Sequence, residues 1–217
     1  MDIPQKLEEL NAICKEIQDT YHVKATTVTG DVSCEESVET FVGEAVQELG
    51  TLDILHSNAG IVAIGDNPNV EIEKWNKVLD VNLTGMMLVC RTVANVMIEH
   101  KHGGAIVNTA SMSAHIINNR GFSYAATKAA VKHMTKAMAM QYMQYGIRCN
   151  SISPGVVLSG IHDNGPVEGM ESMLKLVPMG RFGTLDEIAA LVAVPASDVS
   201  SFVTGTDILA DGGQCIP

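Results

Sequence analysis

The chain has 217 residues, of which 46% are hydrophobic, 18% charged and 4% aromatic. This composition excludes intrinsic disorder, because enough apolar side chains are present to build a core. A net charge of -11 and the lack of Lys/Arg-rich runs argue against a nucleic-acid partner. No apolar run approaches the roughly 18 residues that span a bilayer, and the first residues lack a signal-peptide pattern. We therefore expect no contact with a membrane.

The cysteines and histidines suggest no metal site and no disulfide framework. The spacing of the cysteines is wide and never C-x-x-C, which is typical of reduced thiols in a cytoplasmic protein. The pair His100-x-His102 has no accompanying thiol or carboxylate cluster. The cysteines are Cys14, Cys34, Cys90, Cys149 and Cys215.

The N-terminal half alternates between helical and β-prone stretches. Leucine and isoleucine at helical spacing predict a helix over residues 5–20, and the β-prone run 24–29 predicts a strand after it. An amphipathic helix is predicted over 35–49, with Gly50 ending it. The next predicted elements are a strand over 52–56 and helices over 71–80 and 82–101.

The C-terminal half continues this alternation. A strand over 105–110 precedes a long helix over 124–145, and a strand over 147–152 precedes an irregular stretch over 156–183. The last predicted elements are a helix over 185–193, with the capping-box residues Thr184 and Glu187 at its start, and a strand over 206–210. Alternation at this pitch predicts an α/β fold, a doubly wound parallel sheet between two helix layers, in one domain over residues 1–217.

Tyr124 and Lys128 lie one helical turn apart on the predicted helix 124–145. A fixed ammonium stabilises a phenolate, so this pair can act as a general acid/base for an oxygen that changes charge. Ser111 follows the strand 105–110, and its hydroxyl can hydrogen-bond the same substrate oxygen. The Tyr-x-x-x-Lys spacing alone arises by chance about one time in five. Ser113 is an equally good serine by composition.

Together with further motifs in the same order, these residues resemble the short-chain dehydrogenase/reductase family over essentially the whole chain. The resemblance implies a Rossmann-like fold and NAD(P)-dependent reduction of a ketone or oxidation of a secondary alcohol. The motifs are Asp31-Val32, Asn58-Ala59-Gly60, Asn82 in VNLTG, Ser111, Tyr124-Ala-Ala-Thr-Lys128, Asn150-Ser-Ile-Ser-Pro154-Gly155, and Thr204-Gly205 before Asp211-Gly212-Gly213.

The resemblance implies a catalytic role for four residues. Tyr124 would be the acid/base, and Lys128 would support it and bind the nicotinamide ribose. Ser111 would hold the substrate carbonyl. Asn82 would hold a water that links Lys128 to solvent, although a helix-kinking asparagine in the core is the alternative.

The family's cofactor contacts carry over to a second group of residues. Asp31 would accept from the adenine amine, although a role next to the N-cap of the following helix is the alternative. Ser57 stands where the family usually has an asparagine. The residues that the resemblance assigns to NAD or NADP are Asp31, Val32, Asn58, Ala59, Gly60, Tyr124, Lys128, Pro154, Gly155 and Ser159.

The family's opening strand–helix–strand unit, with its T-G-x-x-x-G-x-G turn, has no counterpart in this sequence. The residue that selects NAD or NADP lies in that unit, so the sequence leaves this choice open. We expect either a piece of a longer enzyme, with an open sheet edge at 52–56, or a strand 24–29 that pairs with 52–56. A scaffold protein that cannot bind cofactor, and that only oligomerises, is the alternative to an enzyme.

The sequence also suggests a substrate class and an assembly. The stretch 156–183 matches the family's substrate lid in position. His115, Asn118 and His162 suggest the hydroxyls of a sugar or polyol, although solvated loop residues are the alternative. Methionine-rich helices over 82–101 and 124–145 would form the contacts of a homotetramer, with ordinary core packing as the alternative.

Overall fold

A computed structural model describes residues 7–62, 69–116, 121–158 and 170–216 of the chain. Four strands form one parallel sheet in the order β1-β2-β3-β4. The register places Leu55 opposite Ile106, and Ile106 opposite Cys149. This arrangement confirms the predicted α/β fold. The strands are β1 (Ile54–Ser57), β2 (Gly104–Thr109), β3 (Ile147–Pro154) and β4 (Asp207–Ala210).

The helices follow the predicted order, except that a short helix, Met170–Leu174, lies within the stretch 156–183, which we expected to be irregular. Gly50, with φ 86, ends the second helix as predicted, because its left-handed conformation suits a residue without a Cβ. The α-helices of the described residues are α1 (Leu7–Tyr21), α2 (Glu35–Leu49), α3 (Ile72–Leu79), α4 (Met86–His100), α5 (Phe122–Tyr142), α6 (Met170–Leu174) and α7 (Leu185–Ala196).

The strand predicted over 24–29 is wrong. This segment follows α1 without forming a strand, and Thr29 alone has a bridge pairing. A β-prone run becomes a strand only where a neighbouring strand completes its hydrogen bonds. We expected either an open sheet edge at 52–56 or a pairing of 24–29 with 52–56. The structure shows the open edge, because β1 is the end strand of the sheet order and Ile54 is 55% exposed.

The two helices predicted over 71–80 and 82–101 form one continuous helical run, Ile72–His100. A π-helical segment, Asp80–Gly85, joins α3 to α4 where we expected a break. The run is long and apolar enough to cross a membrane, contrary to the expectation from apolar runs, but 56% of its most apolar window is buried in the fold. Core helices of globular proteins meet the same criterion.

The core lies where α2, α4 and α5 meet the sheet. Helix α4 contributes Cys90, Ala94 and Met97, and each of these side chains is fully buried. Helix α2 packs against α4, α5 packs against β3, and α7 contacts β2 and β3. Because the four strands are parallel, their carboxyl ends lie together at one edge of the sheet, where ligands bind in this class of fold.

Candidate active site

Helix α5 brings Tyr124 and Lys128 together, as the sequence predicts. The helix starts at Phe122, and the ammonium of Lys128 lies 5.7 Å from the centre of the Tyr124 ring. Tyr124 is half-buried, whereas Lys128 is 3% exposed. One turn of α5 therefore carries a buried ammonium and a half-buried phenol.

The Lys128 ammonium is held at the carboxyl end of β2. Its Nζ atom donates to the carbonyl oxygen of Thr109 at 2.7 Å. Burial lowers the pKa of Lys128 to about 8, because the charged form loses hydration. Among the described residues this carbonyl is the ammonium's hydrogen-bond acceptor, so further N–H donors remain for a hydroxyl-bearing ligand or water.

Ser111 lies two residues beyond Thr109 and is 5% exposed. It precedes a 3₁₀ turn, Met112–Ala114, and its hydroxyl oxygen accepts from the backbone N–H of Ser113 at 3.1 Å. Ser113 is also buried, at 4% exposure. We call the segment Ser111–Ala114 the serine turn. It lies near Lys128, because it begins two residues after the carbonyl that accepts the ammonium's hydrogen bond.

Asn82 is fully buried within the π-helical segment. Its amide oxygen accepts from the backbone N–H of Ile61 at 2.7 Å, and its amide nitrogen donates to the Ile61 carbonyl at 2.9 Å. The same nitrogen lies 3.3 Å from the hydroxyl of Thr127 on α5. Asn82 therefore ties the loop after β1 to the helix that carries Tyr124. The π-helical turn interrupts the regular side-chain spacing at this position, as such turns often do at functional sites.

The segment Asn58–Gly60 lies directly beyond β1 and is exposed. A Cβ atom built on Gly60 would lie 3.4 Å from Asn82 Oδ1 and 3.6 Å from Lys128 Nζ. The backbone thus borders the buried ammonium, where a cofactor cleft would have its floor.

Asp31 and Val32 lie in the turn before α2. The carboxylate of Asp31 accepts from the hydroxyl of Ser33 at 2.6 Å and from its backbone N–H at 2.9 Å. These hydrogen bonds lower the pKa of Asp31. Val32 is 7% exposed and lies against Gly85 of the π-helical segment. Both contacts are made by Oδ1, and they are compatible with the alternative of a residue next to the N-cap of the following helix.

Pro154 and Gly155 lie where β3 ends. The N–H of Gly155 donates to the carbonyl of Ala210 at 2.8 Å, and a Cβ on Gly155 would lie 2.6 Å from the Cα of Asp211. A side chain at this position would clash with the adjacent backbone, so the close approach of the two strand ends requires glycine. Ser159, Asn118 and His162 lie outside the described residues.

The structure places His115 with its ring toward the strands. The Nε2 atom lies 2.8 Å from Asp207 Oδ2 and 3.3 Å from Ser153 Oγ. Sequence reasoning did not identify Asp207, Thr109 or Thr127 as neighbours of the site. The contact of Thr109 is made by its backbone, which leaves no signature in the side-chain sequence.

Comparisons with known proteins identify the family of the chain. A protein-family model described as "Enoyl-(Acyl carrier protein) reductase" matches residues 2–214. Glucose 1-dehydrogenase 2 of Bacillus subtilis is 33% identical over 195 residues, which is 89% of this chain and 76% of that protein. The 3beta-hydroxysteroid dehydrogenase 1 of Eggerthella lenta is 37% identical over 194 residues, covering 88% of this chain and 74% of that protein.

Two further proteins that resemble the chain are also dehydrogenases. A probable NADP-dependent mannitol dehydrogenase of Yarrowia lipolytica is 35% identical over 206 residues, covering 93% of this chain and 73% of that protein. The crystal structure of a short-chain type dehydrogenase/reductase from Mycobacterium marinum superposes with a TM-score of 0.91 at 35% identity, covering 97% of this chain and 83% of that one. The chain therefore belongs to the short-chain dehydrogenase/reductase family and is an NAD(P)-dependent oxidoreductase.

Proposed function

We propose that the chain reduces a ketone, or oxidises a secondary alcohol, with Ser111, Tyr124, Lys128 and Asn82. The observation that carries this proposal is the burial of Lys128 one turn from Tyr124, with its ammonium on the carbonyl of Thr109. Among the ion pairs of the described residues, none involves Lys128. A buried cation without a carboxylate partner is costly, so its position is best explained by a functional role.

The residues have complementary roles in the reduction. When bound, NAD(P)H supplies the hydride to the carbonyl carbon. The Tyr124 hydroxyl donates its proton to the carbonyl oxygen as negative charge develops there. The Ser111 hydroxyl donates a hydrogen bond to that oxygen and stabilises the charge. The ammonium of Lys128 stabilises the phenolate that remains, and alcohol oxidation reverses these steps.

The residues around Lys128 fit a nicotinamide dinucleotide. The spare N–H donors of Lys128 suit ribose hydroxyls, and the open backbone of Asn58–Gly60 suits the floor of the cleft. Asp31 and Val32 would hold the adenine, while Pro154 and Gly155 would border the nicotinamide. We also assign Ser159 to the carboxamide and Asn82 to a water that connects Lys128 with solvent.

Cofactor binding is the first test of this proposal. The one tryptophan of the chain, Trp75, is half-buried on α3, and its ring lies 5.7 Å from that of Phe122 at the start of α5. We expect NADH or NADPH to change the fluorescence of Trp75, because Phe122 begins the helix that carries Tyr124 and Lys128. Absence of binding for both cofactors at about millimolar concentration, which is the weak limit of useful affinity, would favour the non-catalytic scaffold.

Replacing Tyr124 by phenylalanine tests the catalytic assignment. We expect Tyr124→Phe to lower kcat by a factor of about 10² to 10⁴, because the proton donor is lost. Cofactor affinity should fall much less than kcat, since Tyr124→Phe removes a single hydroxyl from the residues assigned to the cofactor. Steady-state kinetics and the fluorescence titration give the two values. A variant with wild-type kcat would contradict the assignment.

For the substrate we propose a small sugar or polyol. The relatives named for glucose and mannitol support this class, whereas the relative named for a 3beta-hydroxysteroid represents the competing class. A panel of glucose, mannitol and a 3β-hydroxysteroid, each assayed with NAD and NADP, distinguishes them. Turnover of the steroid alone would contradict the assignment to sugars.

We propose a cytoplasmic homotetramer that uses α4 and α5 as contacts. Met86, Met97 and Met138 are core residues, so the core alternative holds for these three methionines. Met140 in the last turn of α5 is 72% exposed, and Met143, directly after the helix, is 49% exposed, which leaves an apolar surface for a partner copy. Light scattering should give four times the mass of the chain, and a monomer would contradict the proposal.

A further inference from the structure

His115 connects the serine turn to the strands β3 and β4. Its ring leaves the end of the 3₁₀ turn Met112–Ala114 and reaches β3 and β4, where Nε2 lies 2.8 Å from Asp207 Oδ2. The side chain of Asp207 is 5% exposed, and that of His115 is 20% exposed. The chemical steps proposed above use neither residue, so the contact between this histidine and the buried carboxylate needs a separate explanation.

Asp207 is surrounded by hydrogen-bond donors. The hydroxyl of Ser151 donates to Oδ1 at 2.5 Å, and the hydroxyl of Ser153 lies 3.0 Å from Oδ1 and 2.9 Å from Oδ2. A buried carboxylate is stable only when such donors replace its hydration. The Nε2–H of His115 is a third donor and the one that comes from outside the two strands. Loss of this donor would leave the carboxylate partly unsatisfied.

Lys132 fixes the orientation of the imidazole from the opposite direction. Its Nζ lies 3.2 Å from Nδ1 and 3.4 Å from Nε2 of His115. An ammonium only donates, so the shorter contact favours Nδ1 as the acceptor and leaves the ring hydrogen on Nε2, which faces Asp207. Lys132 lies one turn beyond Lys128 on α5. The ring therefore bridges β4 and the helix that carries Tyr124.

The serine turn packs against α5 and β3 and has hydrogen bonds within itself. The N–H of Ser113 donates to the Ser111 hydroxyl oxygen at 3.1 Å, and the N–H of Ala114 donates to the Ser111 carbonyl at 2.9 Å. Among the hydrogen bonds that the structure gives for the turn and its last residue, those of the His115 ring reach β3 and β4. The ring of His115 thus adds a side-chain link from the end of this turn to the sheet.

We propose that His115 is a positioning residue, which anchors the serine turn to Asp207 and so holds the Ser111 hydroxyl at its working distance from Tyr124. The effect on catalysis rests on the function proposed above, whereas the anchoring itself does not. Small displacements of a hydrogen-bonding group lower reaction rates strongly, and we expect about a tenfold loss when the anchor is removed.

Hydrogen exchange of the protein without cofactor tests the anchor directly. We expect the amides of Ser113 and Ala114 to exchange about tenfold faster in His115→Phe, because the turn opens more often. His115→Gln keeps an amide donor near the position of Nε2 and should restore slow exchange. His133→Phe, which removes an exposed histidine of α5, is the matched control and should behave like the wild type.

Asp207→Asn keeps the size of the acceptor and serves as an independent variant if His115→Phe does not fold. It should also accelerate exchange of the two amides. In activity assays, His115→Phe should lower kcat about tenfold with an unchanged KM for the cofactor, because the cofactor contacts lie elsewhere. His115→Gln should recover most of this loss.

Each outcome is informative. Unchanged exchange in the folded His115→Phe and Asp207→Asn variants would overturn the proposal, as would equal defects in His115→Gln and His115→Phe. Faster exchange with wild-type kcat would show that the turn does not position Ser111. A wild-type chain without turnover, but with the expected exchange response, would count against the proposed function and support the anchor.

Discussion

At the scale of single residues, Lys128 shows how the fold tunes a side chain. Burial lowers its pKa to about 8 from the ordinary value of 10.5. Below pH 8 both the folded and the unfolded chain are protonated at this residue, so the folded chain carries the full cost of the buried charge. Between pH 8 and pH 10.5 the folded chain has released the proton and the unfolded chain has not, so the free energy of unfolding rises with pH.

We therefore expect Lys128→Met to be inactive but more stable at pH 7. The shift in pKa sets an upper limit of about 3 kcal/mol for this gain, part of which is offset by the lost hydrogen bond to Thr109. The gain should shrink as pH rises from 8 to 10.5. Denaturant unfolding at pH 7 and pH 10 measures it, with Lys136→Met, an exposed residue of the same helix, as the control. Destabilisation at pH 7 would contradict this account of the burial.

At the scale of elements, the π-helical segment Asp80–Gly85 positions Asn82. The regular helical spacing on both sides is interrupted there, and the Asn82 side chain bonds both backbone groups of Ile61. Gly85 at the end of the segment lets the helix approach the turn before α2. A Cβ at this glycine would lie 2.8 Å from Val32 Cγ2 and 2.9 Å from the Val32 carbonyl oxygen.

Gly85→Ala should destabilise the fold and displace Val32. Overpacking of a tight contact costs about 1–3 kcal/mol, and the backbone carbonyl cannot move as a side-chain tip can. The proposed adenine contact should weaken as well, so the cofactor Kd should rise. Gly43→Ala is the control, because a Cβ on that glycine of α2 meets nothing within 4 Å. Equal stability of the two variants would show that the approach of the helices is not constrained.

At the scale of the whole molecule, the sheet has ordinary hydrophobic packing in its middle and exposed apolar residues at its ends. Strand β1 ends the sheet order, and no other strand of the described chain flanks it on the outer side. Ile54 of this strand is 55% exposed. An exposed edge with apolar side chains is a template for pairing with further chains.

We expect Ile54→Lys to reduce aggregation at high protein concentration without a large loss of stability. The lysine opposes edge-to-edge pairing through charge repulsion and hydration, which are the usual protections of edge strands. Ile72→Lys adds the same charge to an exposed helical residue at 68% exposure and is the control. Turbidity against concentration measures the effect, and equal behaviour of both variants would rule out the strand edge as the cause.

The elements that the sequence predicts best are those with local signals. The helix α2 has its predicted bounds, 35–49, because its apolar spacing and Gly50 act within a few residues. The capping box of α7 is also confirmed, with Glu187 N–H donating to Thr184 Oγ1 at 3.2 Å and Thr184 N–H donating to Glu187 at 2.9 Å. The segment 24–29 failed because a strand depends on its neighbours in space.

The sequence by itself determined the alternation of strands and helices and the spacing of Tyr124 and Lys128, since both follow from local periodicity. Only the tertiary structure decided that Lys128 is buried, that Thr109 accepts its hydrogen bond, and that His115 binds Asp207 across 92 positions of sequence. Burial, backbone acceptors and contacts between distant segments arise when the chain packs. These properties set the charge and position of the groups at the site, and no pattern of neighbouring residues encodes them.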